Sequence, residues 1–304
     1  MGWALLPGKF SVASLHVAAP HAGIRALFSG FLQKRVTVPA VPAIVIDHAD
    51  DPRLAEYVGL TDPQLRQRVE AERNFFIAES PLVVEKLVRS GRSVRSVLVT
   101  PGQHDALGVT LEGLDAPVYI ARPEILRAVV GFDLHRGAVA SADRWPIPEA
   151  ASMLGSARRV AVLQKLGDHE NLGGVFRNAA AFGIDAVLLD PECADPLYRR
   201  CVRVSIGHVL SVPWARVQSL DELRSLGFAL LALTPAPDAT PLGVVEWPER
   251  CALLLGSEGP GLSADWLAAA DARVTIPMRP EADSLNVATA AAIAFYAAQQ
   301  QDGT

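Results

Sequence analysis

The clearest pattern lies between residues 160 and 298, where short uninterrupted apolar runs alternate with polar loops and with segments of helical period. The runs at 160–163, 186–189, 209–212, 229–233, 251–255 and 274–276 read as strands buried on both faces. Between them the spacing predicts helices over 175–182, ended by Gly183, over 197–202 and over 221–226, with a polar loop at 167–174. Strands linked in turn by helices imply a parallel sheet. The closing segment, 287–298, has no charged side chain, so it reads as a helix that is apolar nearly all round and therefore buried. It is too short to cross a bilayer. Its alanines also let a second backbone come close, which suits a contact between subunits as well as a core.

A smaller rhythm comes first. Residues 43–46 read as a strand, 63–72 as a helix capped by Asp62, and 75–78 as a strand. A helix over 81–88, opened by Pro81 and closed near Gly91, leads to a strand at 94–99. Strands at 117–120 and 138–140 flank a helix at 123–129, continuing a βαβ rhythm. Pro146, Pro148 and the Ala/Ser/Gly-rich residues up to Ser156 read as a linker. The expected organisation is an extension of unassigned role over 1–40, a small α/β domain over 41–147, a linker over 148–156 and a second domain over 157–304.

Composition narrows the class. Half of the 304 residues are hydrophobic, which is ample for packed cores and excludes a disordered or fibrous chain. The formal net charge of −5 speaks against a large uniform nucleic-acid footprint. The first domain nonetheless gathers Arg66, Arg73, Arg92, His135 and Arg136, a pattern that fits an RNA-contacting face as well as a solvated one. Only four lysines occur, so arginine must carry any phosphate contacts. Cys193, Cys201 and Cys251 show no metal-ligand spacing and read as reduced core thiols, with no metal expected. The apolar patches near the start are broken by Lys9, His16, His21 and Arg25, so the expected location is the cytoplasm, with no membrane partner.

Candidate chemistry sits on three loops that follow strands of the second domain. They are 168–174 with Arg177 behind it, 256–261, and 276–286 with Ser284 and Asn286. In an open parallel sheet ligands bind beyond the carboxyl ends of strands, so three polar loops there define a crevice. The 256–261 loop lacks both the GxGxxG order and a phosphate-loop lysine, and no GxSxG elbow is present. Glu258, a carboxylate between glycines, has little packing reason to stand there.

Together the three segments resemble the motifs of the SpoU/TrmH branch of the SPOUT methyltransferases. Asn171, Gly173 and Arg177 are similar to the opening motif, Leu254-Leu255-Gly256-Ser257-Glu258-Gly259-Pro260-Gly261-Leu262 to the middle one, and Ile276-Pro277-Met278 with Ser284-Leu285-Asn286-Val287-Ala288 to the closing one. The resemblance covers roughly residues 160–298. It implies a parallel sheet whose C-terminal segment is threaded into a deep trefoil knot, where composition and periodicity alone suggest a doubly wound sheet. It implies a homodimer, and a small N-terminal domain similar to ribosomal protein L30e that binds RNA.

The implied donor is S-adenosylmethionine, held by Thr234 and Pro235, by Leu255, Gly256, Ser257 and Gly261, and by Ile276, Met278, Ser284, Leu285 and Asn286. The implied reaction is methyl transfer to a ribose 2′-hydroxyl of RNA, ribosomal RNA being favoured and transfer RNA the alternative. The implied catalytic residues are Asn171, Arg177, Glu258, Ser284 and Asn286. A guanidinium is always protonated and makes a poor base, so Arg177 is expected to grip phosphate and stabilise the developing alkoxide. Asn171, Ser284 and Asn286 are expected to orient the ribose, and Glu258 to orient Arg177 or accept the proton. Two further readings compete: a knotted RNA-binding protein without catalysis, and a nucleotide-dependent oxidoreductase.

Overall fold

The computed structural model describes residues 43–300 except His135 and Pro280, so the extension expected over 1–40 lies outside the described residues. The described chain carries a five-stranded and a seven-stranded sheet. Strands β1 (Ile44–Ile46), β2 (Phe75–Glu79), β3 (Val94–Val99), β4 (Val118–Ala121) and β5 (Ala138–Asp143) form the first, in the order β1-β4-β3-β5-β2. Here β1, β4 and β3 are parallel, and β5 runs antiparallel between β3 and β2. A βαβ rhythm fixes strand direction, since a helical return makes β2 and β3 point the same way. It does not say which strand fills the gap between them.

The second sheet is parallel throughout. Strands β6 (Arg159–Gln164), β7 (Ala186–Leu189), β8 (Trp214–Arg216), β9 (Ala229–Leu233), β10 (Thr240–Pro241), β11 (Cys251–Gly256) and β12 (Ala272–Thr275) lie in the order β10-β12-β9-β11-β6-β7-β8. Every residue of β6 and all but the last of β11 are buried, as strands covered on both faces require.

Some sequence expectations need correction. The run at 209–212 is no strand. His208–Leu210 forms a 3-10 turn whose Val209 and Leu210 are buried, and the strand begins later, at Trp214. The short helix Ala264–Ala269, capped by Ser263, is an element the sequence pattern does not predict. Residues 148–156 are not a free tether, because they contain the helix Ala150–Met153, whose buried Ala150 packs with Leu154, Val160, Leu188 and Leu254. Arg250 Nη2 also donates 2.8 Å to Leu154 O.

One hydrophobic cluster runs from Phe76, Val83 and Leu87 beside the first sheet to Leu163, Phe176 and Phe295 in the second. Polar contacts cross the same junction. The buried Arg199 Nη1 and Glu79 Oε2 are 2.8 Å apart, Arg144 Nη2 reaches Asp195 Oδ2 at 2.6 Å, and Trp145 meets Trp214 at 6.2 Å between ring centroids. All three cysteines are free and buried, and no helix of the described residues is long and apolar enough to cross a membrane.

Candidate functional site

The first of the three segments is mostly helix, where a loop is expected. The helix His169–Phe182 starts at Asp168, whose Oδ1 accepts hydrogen bonds of 2.8 Å from the backbone N–H groups of Glu170 and Asn171. Gly173 and Gly174 lie inside it. A glycine pair in a helix interior reads as a loop because each costs about 1 kcal/mol relative to alanine. Packing explains them here: a Cβ on Gly173 would lie 2.8 Å from Cys201 O, and one on Gly174 2.8 Å from Ala288 Cβ. The glycines let the Arg199–Val204 and Val287–Gln300 helices close onto this one. Asn178 strengthens that contact, its Nδ2 donating 2.7 Å to Ala288 O.

The second segment folds back on itself after β11. Gly261 N donates 3.0 Å to Ser257 O, and a Cβ on Gly256 would stand 2.2 Å from Gly261 C, so only glycine fits at 256. Gly259 and Gly261 take left-handed φ of +89° and +67°. Gln164, ending the neighbouring β6, clamps the loop's exit by accepting from Ser263 N at 2.8 Å and donating to Ser263 Oγ at 2.9 Å.

The third segment ends at Asn286, and there the three meet. Asn286 Oδ1 accepts from Ala288 N and Thr289 N at 3.0 and 3.2 Å, capping the last helix. Its Nδ2 donates 2.7 Å to Asn171 Oδ1 and 2.8 Å to Glu258 Oε1. Thr234 N, after β9, donates 2.9 Å to Val274 O and brings a fourth segment alongside.

The stretches after β9, β11 and β12 enclose a cavity of about 350 Å³, which the first segment does not line but meets through Asn171. Each of the eleven residues expected to hold a donor lines it, as does Glu258. Its wall combines apolar side chains such as Leu233, Leu255, Met278 and Leu285 with hydroxyl, amide and backbone groups. Glu258 is the only charged side chain among the described residues lining it. That donor set fits an amphiphile carrying positive charge and offers no basic side chain to a pyrophosphate.

Other expected residues are placed elsewhere. Arg177 is exposed and does not line the cavity; its charge acts instead on Lys86 and His208. No ion pair joins it to Glu258 among the described residues, and the carboxylate hydrogen-bonds Asn286 instead. Arg66 leaves the set of RNA contacts, being 1% exposed and paired with Glu70 at 3.0 Å on the inner face of its helix. Arg73 and Arg136 are exposed, and Arg92 lies 3.8 Å over the Trp145 ring. His135 lies outside the described residues.

Comparison with known proteins places the motifs and the fold in one family. The profile of the SpoU rRNA methylase family matches residues 158–296. An uncharacterized tRNA/rRNA methyltransferase of Mycobacterium tuberculosis is 46% identical over 254 residues, 81% of this chain and 88% of its own length. The 23S rRNA (guanosine(2553)-2′-O)-methyltransferase RlmP of Bacillus subtilis is 29% identical over 76% of this chain and 90% of its own. The fold matches that of the AdoMet-bound rRNA methyltransferase from Sinorhizobium meliloti with a TM-score of 0.73 at 22% identity, covering 85% of this chain and 98% of that one. An RNA 2′-O ribose methyltransferase matches with a TM-score of 0.69 at 25% identity, over 86% and 100% of the two chains. With motifs, parallel sheet and relatives in agreement, the chain belongs to the SpoU rRNA methylase family.

Proposed function

We propose that the chain transfers a methyl group from S-adenosylmethionine to a ribose 2′-hydroxyl of RNA, ribosomal RNA being the favoured substrate, in the cytoplasm. One observation carries the reading: the Asn286 amide joins Asn171 and Glu258 at the rim of a cavity with the volume and donor set such a donor needs. The donor supplies an electrophilic methyl group on a cationic sulfur. The chain's residues do the rest. Leu255, Ile276, Met278 and Leu285 cover the apolar parts of the donor, and the 256–261 turn presents backbone groups to its polar parts.

A hydroxyl is a weak nucleophile until its proton leaves, so the site must orient it and take the proton. The exposed Glu258 carboxylate, steered by Asn286, is the group for that step. Ser284 and Asn171 orient the sugar. Arg177, on the outer surface, takes an RNA phosphate, a task its fixed planar charge suits better than proton transfer.

The architecture assigned to this activity has three parts. The region around the five-stranded sheet serves as an L30e-like RNA-binding domain, supported by the exposed Arg73 and Arg136. The C-terminal threading is a deep trefoil knot. In its support, the chain leaves β12 on the far side of β9 and β11, then returns to pack its last helix on the helix that follows β6. A homodimer forms through that last helix, which leaves Ile293 and Tyr296 38% and 52% exposed.

The test is to map 2′-O-methylated riboses in ribosomal and transfer RNA treated with the protein and S-adenosylmethionine, against RNA treated without the protein. One new site in ribosomal RNA is expected. A site in transfer RNA alone transfers the assignment to that substrate, and donor binding without methylation of either leaves a non-catalytic RNA binder. Binding of NAD in place of S-adenosylmethionine overturns the reading.

A further inference from the structure

Lys86, one of only four lysines, lies on the Pro81–Arg89 helix beside the first sheet, and His208 lies on the 3-10 turn before β8 of the second. Their Nζ and Nε2 atoms are nevertheless 2.8 Å apart. An ammonium can only donate, so Nε2 is the acceptor and the imidazole is neutral. The backbone just before His208 is unusual. Ile206 and Gly207 take φ of +50° and +72°, and for a β-branched isoleucine that conformation is strained. A Cβ on Gly207 would lie 3.4 Å from Lys86 Cβ and Cδ, so the lysine stem rests against the strained turn. Strain of this kind survives where the surroundings hold it, and it concentrates at functional sites.

Among the described residues no acid pairs with either member of this contact. Among the described residues Arg177, from the His169–Phe182 helix, is the other charged group acting on both, and it is a cation too. The nearby carboxylates are engaged elsewhere, Glu85 with Arg89 at 2.6 Å and Glu79 with Arg199 and Arg203. Burial, with Arg177 adding to it, holds Lys86 below its ordinary pKa, and burial together with Lys86 and Arg177 does the same to His208. Lys86 and His208 meet at 2.8 Å, Arg177 stands on the helix packed against the His208 turn, and among the described residues none of the three is paired with an acid.

We propose that Lys86, His208 and Arg177 bind one phosphodiester of the RNA and so fix the strand against both halves of the chain at once. This inference rests on the RNA reading above and names part of the path the strand takes. The phosphate supplies negative charge that offsets the penalty on a third cation, and His208 takes up a proton as RNA binds, its Nε2 then donating to the phosphate instead of accepting from Lys86. The pKa of His208 is then higher in the complex than in the free protein. Affinity is therefore greatest below the free-protein value and declines as pH rises through the bound-state value.

The experiment measures binding of the methyl-accepting ribosomal RNA to the full chain across salt and pH, with calorimetry in two buffers of different ionisation heat to count protons taken up. Lys86→Met is expected to weaken binding about tenfold and to lower the salt slope by about one, while Lys86→Arg keeps the slope. His208→Asn is expected to abolish proton uptake. Arg224→Met, an exposed residue paired with Asp271, is expected to bind as the wild type does. Unchanged binding of S-adenosylmethionine certifies that each variant is folded, and should Lys86→Met fail that check, proton uptake in His208→Asn decides. RNA binding without proton uptake by the wild type, or an unaltered salt slope in Lys86→Met, overturns the inference. If the wild type methylates RNA while these variants match it, this inference alone falls. If the wild type neither binds nor methylates RNA, the proposed function falls and takes this site with it.

Discussion

Asn286 and Glu258, 28 positions apart, are joined by a hydrogen bond of 2.8 Å from the amide Nδ2 to the carboxylate Oε1. The same amide also gives a proton to Asn171 and receives two from the first turn of the last helix. An asparagine amide has two N–H donors and two oxygen lone pairs, and here all four are used. Aspartate can keep the cap but cannot donate. Asn286→Asp is therefore expected to fold with stability within about 1 kcal/mol of the wild type, yet to place a second carboxylate against Glu258. Methyl transfer should fall on the order of 100-fold, the range seen when an orienting or stabilising hydrogen bond is lost. Single-turnover transfer beside a melting curve measures both, and wild-type transfer by Asn286→Asp would remove Asn286 from the site.

The parallel sheet was legible because strands buried on both faces must be apolar throughout, as the fully buried β6 is. The crevice was legible in part, because the 256–261 and 276–286 stretches follow parallel strands whose carboxyl ends lie on one side, while the first segment is helix and touches the cavity's edge only through Asn171. Legibility failed where one composition serves two ends. Gly173 and Gly174 look like a loop, but they are the thin side of a helix pressed between two others. Val209, Leu210 and Val212 are as apolar as a strand, but the positive φ of Ile206 and Gly207 starts a tight turn there instead. Arg66 counts as one more surface charge until Glu70, four residues on, is seen beside it on the buried face of the same helix.

The two helix glycines should respond unequally to alanine. At Gly174 the obstacle is the Ala288 methyl group, but at Gly173 it is backbone, Cys201 O at 2.8 Å and Ser205 N at 3.1 Å, with Val204 Cβ at 2.9 Å. Alanine gains about 1 kcal/mol of helix propensity at either position, while overpacking costs about 1–3 kcal/mol. Gly173→Ala is expected to be the more destabilising of the two by denaturant titration. The reverse order would mean that the Arg199–Val204 helix yields more easily than the last helix.

At the junction of the sheets, Glu79 and Arg199 are each 9% exposed and 2.8 Å apart. Removing one member of a buried pair leaves a charge with neither water nor partner, at a cost of about 3–5 kcal/mol, whereas replacing both with apolar groups costs far less. Glu79→Ala should lower stability by about 3 kcal/mol in urea, and the double variant Glu79→Leu/Arg199→Met should recover most of it. Additive losses in the double variant would show that the pair is not a coupled unit.

Glu70 should give stability a distinctive dependence on pH. Its carboxyl is 1% exposed, and burial raises its pKa above the ordinary carboxylate value, against the opposing pull of Arg66 and Arg144. A raised folded-state value means that the folded chain holds the proton over a window where the unfolded chain has released it. The contribution is then fully present below the unfolded pKa and is lost as pH rises through the folded one. Glu70→Gln cannot titrate, so the stability advantage of the wild type over this variant should widen as pH falls from about 7 toward the unfolded carboxylate value of about 4.3. Other acids titrate in both proteins and cancel in the difference. Urea titrations of the two proteins at matched pH values measure it, and an advantage that narrows toward acid would mean that Arg66 holds Glu70 ionised despite its burial.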